Sequence, residues 1–152
     1  MLLKTLNGGL ITIFAVLCLI GCDSQRVEKD FLRQPPETRL MRIRKYSLDD
    51  QYKIFRYGND KVEPPVLGLA SPIAERGPQV VPFLLAKLNS ERDDASVRDI
   101  MLVFSVMAAS KTYDVKSDGT LMATLDAAVS GMSDKDWQKT CVAMLKRIKE
   151  SS

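Results

Sequence analysis

Residues 133–148 read SDKDWQKTCVAMLKRI, and the spacing inside that stretch decides the class of fold. Trp137, Cys141, Met144, Leu145 and Ile148 recur at i, i+4, i+7, i+8 and i+11. A helix of about 3.6 residues per turn gathers these positions on one side and leaves Lys139, Lys146 and Arg147 on the other. The oxygen-rich start, Ser133 to Asp136, supplies acceptors for the free N–H groups of a first turn. Cys141 sits on the apolar stripe, so it reads as a small buried residue and not as a reactive thiol.

The same punctuation runs back through the chain. Asp118 is placed to cap a helix over 120–132 with Leu121, Leu125, Ala128, Val129 and Met132 inward. Val97, Ile100, Met101, Phe104 and Met107 or Ala108 form the stripe of a helix over 95–110, with Asp93-Asp94 before it. Val80, Val81, Leu84, Leu85 and Leu88 define another, and Gly77 ends the segment before it, 66–76, with Leu69, Ile73 and Val66 inward. Ser47-Leu-Asp-Asp50 opens a short helix that Gly58 is expected to stop at Tyr57. No segment sustains the apolar–polar alternation of a half-buried strand, so the predicted fold is all-α, built of antiparallel helix hairpins.

Composition narrows the function. The chain has 152 residues, 22 Lys and Arg against 19 Asp and Glu, three cysteines and no histidine. Absence of histidine excludes Ser-His-Asp and Cys-His nucleophile activation and histidine-based zinc sites. A net charge of +3 does not imply nucleic acid. No Gly-rich phosphate loop appears, and no Ser-Lys spacing singles out a dyad. The expectation is a protein that is not an enzyme and that takes no metal, cofactor or small-molecule substrate.

Residues 73–88, Ile-Ala-Glu-Arg-Gly-Pro-Gln-Val-Val-Pro-Phe-Leu-Leu-Ala-Lys-Leu, followed by Asp93-Asp-Ala-Ser-Val-Arg98, resemble a HEAT-type repeat unit. That resemblance spans roughly residues 64–111 and implies a helix pair joined at Gly-Pro. No second copy follows at a period of about 40 residues. A HEAT-like solenoid fragment and a compact helical bundle therefore both remain open.

The N-terminus reads as an address. Lys4 precedes an apolar run, Leu10–Ile20, interrupted by Thr12 and too short to cross a bilayer core, which needs about 20 residues. The run ends in Leu19-Ile20-Gly21-Cys22, which resembles the lipobox of bacterial lipoproteins. The resemblance implies a signal peptide over 1–21 and a Cys22 carrying diacylglycerol on its thiol and an acyl chain on its amine. It also implies a periplasmic location at the cell membrane, and Asp23 at the next position resembles an inner-membrane retention signal. Loss of Lys4 with the signal lowers the charge from +3 to +2.

Residues 22–38, polar and containing Pro35-Pro36, are expected to be a flexible tether with a short helical turn around Val27–Leu32, leaving 39–152 as the helical domain. Arg39, Arg42, Arg44 and Lys45, interleaved with Leu40, Met41 and Ile43, read as the solvated face of a first helix. Beside a lipid anchor the same cluster carries the charge to rest on anionic headgroups. Asp114-Val-Lys-Ser-Asp118-Gly119 resembles the opening of an EF-hand loop, but Lys116 and Leu125 stand where ligands are needed, so a capped turn is expected.

Two sets are candidates for a protein partner. The first is Tyr52, Phe55, Arg56 and Tyr57, unless Tyr52 and Phe55 pack inward with Arg56 and Lys53 solvated. The second is Arg76 and Arg98 with Lys87 and Arg92, unless these pair with Glu75, Glu91 and Asp99. The sequence-level expectation is a lipid-anchored envelope protein that binds a protein partner, such as an immunity or assembly factor. The alternatives are a spacer whose partner is membrane or cell wall, and an enzyme of unrecognised type.

Overall fold

The computed structural model describes residues 25–151; Cys22, Asp23 and the signal-like segment 1–21 lie outside them. Among the described residues there are eight α-helices and no strand, so the fold is an all-α compact bundle. The helices are α1 (Arg26–Leu32), α2 (Pro36–Ile43), α3 (Leu48–Asp60), α4 (Ala70–Ala74), α5 (Val81–Ser90), α6 (Asp94–Ala109), α7 (Gly119–Ser130) and α8 (Lys135–Glu150). None is long and apolar enough to cross a membrane.

The centre is α6, which packs against α3, α4, α5, α7 and α8. Its sequence explains that place. Val97, Ile100, Met101, Val103, Phe104, Met107 and Ala108 are all buried, so apolar residues leave little of the helix for solvent. The stripe read in residues 133–148 closes over it, with Cys141 and Ile148 fully buried and Leu145 nearly so. Leu121, Leu125, Val129 and Met132 complete the layer from α7 and its end.

Side-chain oxygens start the longer helices. Ser47 Oγ accepts from Asp50 N at 3.1 Å, Asp93 from Ser96 N at 2.9 Å, Asp118 from Leu121 N at 3.0 Å, and Asp134 from Asp136 N and Trp137 N at 3.0 Å. Each satisfies an N–H that the first helical turn leaves without a partner. Gly77 ends the α4 region at φ +59°, where a Cβ would meet the Thr112 carbonyl oxygen at 2.8 Å.

Two expectations need correcting. The tether expected over 22–38 is largely folded: α1 begins at Arg26, and Phe31 is wholly buried, edge-on to Tyr46 with ring centroids 5.6 Å apart. Arg39 holds the end of α1 by donating to Leu32 O at 2.6 Å and Gln34 O at 3.0 Å. Gly58 does not stop α3, which runs on to Asp60. It is buried inside the helix because Val66 and Leu69 approach so closely that a Cβ would stand 3.3 Å from Leu69 Cδ1.

Candidate functional site

The polar side chains of α3 and α6 meet in a charged hub. Asp99, with no exposed side-chain surface, faces Arg56 Nε at 3.2 Å from Oδ2, and Arg98 Nη2 at 2.8 Å and Asn59 Nδ2 at 3.1 Å from Oδ1. Arg56 continues outward to Glu91 at 3.1 Å and Asp93 at 3.4 Å, and donates to Ser96 Oγ. Lys87 bridges Asp49 at 3.0 Å and Glu91 at 3.6 Å. The network thus ties α3, α5 and α6 together through alternating charges.

Burial pushes the Asp99 carboxyl above the ordinary carboxylate value, against the pull of Arg98, Asn59 and Arg56. Asp49 is lowered by Lys53 and then Lys87, and Glu75 by Arg44. Asp93 is lowered despite its desolvation, through bonds from Ser96. Asp99 is enclosed and within ion-pair reach of Arg56 and Arg98, yet its Oδ2, Arg56 Nε and Arg98 Nη2 complete no hydrogen bond. The hub links α3 to α6, and removing one member would leave a buried charge without its partner.

The sequence-predicted partner residues scatter across this arrangement. Tyr52 and Phe55 are buried, Tyr52 stacked edge-on to Phe83 and donating to Glu91 at 3.1 Å, so neither offers a face to a partner. Arg56 belongs to the hub. Tyr57 is half-buried on a cleft of about 290 Å³ shared with Gln25, Glu28, Lys53 and Lys61. Arg98 lies over the Trp137 ring, 4.5 Å from its centroid, while Arg76 is exposed at the far end of α6 beside Gly77 and Thr112. Arg98 and the last residue of α6 are separated by roughly 16 Å of helix, so Arg76 and Arg98 do not form one patch. Glu75, which stands beside Arg76 in sequence, pairs with Arg44 instead.

Asp114 and Asp118 serve the turn before α7. Asp114 accepts from Ser117 Oγ at 2.6 Å, Asp118 caps α7, and Tyr113 OH donates to Asp118 at 2.7 Å. Among the described residues no group of three or more acids or thiols is placed to hold a metal. Lys116 turns away and donates to Ser151 O.

Sequence reasoning missed a groove of about 970 Å³ beside α7. Leu88, Val97 and Met132 contribute its apolar floor, Arg92 and Asn89 stand on the α5 side, and Gly119, Ala123, Ala127 and Gly131 line the α7 side. The signal was present: those four small residues recur every fourth position, about 200° round the helix from Leu121, Leu125 and Val129. Small side chains let another backbone approach closely. No family model matches the chain, and no curated protein or solved structure matches it.

Proposed function

We propose that this chain is a lipid-anchored protein of the bacterial cell envelope, held by acyl chains on Cys22, whose helical domain binds a protein partner without catalysis. The observation that carries the reading is Leu19-Ile20-Gly21-Cys22 at the end of a basic-then-apolar start. Cysteine is the residue type that forms the thioether, and small Gly21 suits the cleavage site. Acyl chains contribute about 0.8 kcal/mol per buried methylene, so more than one of them makes attachment durable. Asp23 favours retention at the inner membrane, facing the periplasm.

The groove beside α7 supports the partner half of the reading. It is a recess with an apolar floor, open to solvent, beside an exposed helix face of Ala123, Ala127 and Gly131. Confinement to the membrane raises the partner's effective concentration, so a modest contact suffices. The test is twofold. Cys22→Ser is expected to leave the protein unprocessed and released from the acylated membrane fraction; unchanged processing would sink the anchor. Crosslinking in envelopes is expected to recover a stoichiometric protein that Ala127→Arg no longer captures. Equal recovery by both forms would remove the groove from the contact.

A further inference from the structure

We propose that α1 and α2 form a membrane-seating face, which rests on anionic lipid headgroups through Leu40 and Met41 and the cations Arg42 and Lys45. The proposal rests on the Cys22 anchor put forward above.

Three observations lead to it. First, the folded body starts close to the anchor. Only Asp23, Ser24 and Gln25 separate Cys22 from Arg26, and consecutive Cα atoms are about 3.8 Å apart, so Gln25 lies at most roughly 11 Å from Cys22. The helix that follows is seven residues, about 10 Å long, and α2 folds directly back on its end through Arg39. With Phe31 locked in the core, the domain has no long leash, and the side of the bundle that carries α1 lies nearest the anchor.

Second, that side carries uncovered apolar surface. Five large hydrophobic residues are exposed among those described, and Val27, Leu40 and Met41 are three of them. Met41 is 66% exposed and Leu40 43%, adjacent on one helix.

Third, the charge around them matches an anionic surface. Arg39 donates to backbone carbonyls and Arg42 to the neutral Gln34 side chain at 2.8 Å. Among the described residues no carboxylate pairs with Arg39, Arg42 or Lys45, whereas Arg44 is occupied by Glu75. One acid, Glu37, lies on the same helix. Uncompensated cations flanking exposed aliphatics are the make-up of a segment that lies in the headgroup region.

The experiment uses the mature acylated protein reconstituted in vesicles of phosphatidylethanolamine and phosphatidylglycerol. An environment-sensitive fluorophore is placed on Met41→Cys, or on Val142→Cys, whose side chain is 53% exposed on α8. The label at 41 is expected to shift to the blue and to be quenched by spin-labelled lipid, while that at 142 is not. Arg42→Gln with Lys45→Gln, or vesicles of phosphatidylcholine alone, should abolish the shift at 41 while the protein still floats with the vesicles. Flotation with the label at 41 as solvated as that at 142 overturns the seating face and leaves the anchor standing. So does burial of the 41 label that requires added envelope protein, which would make the face a protein interface. Failure of the wild-type chain to be acylated and float overturns the anchor and the seating face together.

Discussion

Arg56 Nε stands 3.2 Å from Asp99 Oδ2, a carboxylate oxygen with no exposed surface, and this pair joins α3 to the central helix α6. Removing one member of such a pair leaves a charge with fewer partners in a poorly solvated place. Arg56 keeps about a fifth of its side chain in water, which moderates the loss. Asp99→Ala is expected to lower stability by about 2–3 kcal/mol, read as a shift of the urea midpoint. Arg56→Met should cost less than Asp99→Ala, because Arg98 and Asn59 still serve the carboxylate. Additive effects of the two changes in the double variant would contradict the coupling.

A second prediction concerns acid. Asp94 is held below the ordinary carboxylate value, chiefly by the Asp134 N–H and then by Ser133, and Asp118 by the Leu121 N–H and then Tyr113. Asp49, Glu75 and Asp93 are lowered as well. A carboxyl whose folded value lies below its unfolded one contributes stability above the unfolded value and loses it as pH falls through the folded one. Asp99 is raised and works in the opposite sense, its contribution being lost as pH rises through its folded value. Five groups oppose one, so the urea midpoint should fall steadily below about pH 4. Asp94→Asn should flatten that fall; an unchanged slope would show that Asp94 does not carry it.

The folded N-terminus gives a third. Phe31 fills the core between α1 and Tyr46. Phe31→Ala is expected to cost about 3–5 kcal/mol in a urea titration and to open residues 25–35 to hydrogen exchange. A cost near zero would return this stretch to the status of a tether.

Gly77 supplies a fourth. Its φ of +59° and the Thr112 carbonyl 2.8 Å from a would-be Cβ leave no room for a side chain. Gly77→Ala should destabilise by about 1–3 kcal/mol, whereas Gly68→Ala, in open space, should change thermal stability little.

Cys141 provides the last. It is fully buried, and desolvation pushes its thiol up to about 11. Native protein at pH 8 should resist alkylation at this position, as judged by peptide mapping, and should label as soon as urea unfolds it. Rapid native labelling would contradict the packing of α8 on α6.

The sequence by itself determined the helical class and most of the core. The stripes through Leu69 and Ile73, Val97 to Met107, Leu121 to Val129 and Cys141 to Ile148 all face inward, because helical period and burial are local consequences of residue order. Oxygen side chains at Ser47, Asp93, Asp118 and Asp134 likewise announced the helix starts, since a cap is satisfied within three residues. Tertiary structure decided what depends on residues distant in the chain. Gly58 looked like a stop until Val66 and Leu69 closed on it, and Phe31 looked like part of a tether until α1 packed against α3. The sequence leaves Tyr52 and Arg56 between core and surface, because their partners Phe83, Glu91 and Asp99 lie some 30 to 45 residues along the chain. Which polar or aromatic side chains remain free for a partner is a question of packing between helices, and the period of one helix does not contain the answer.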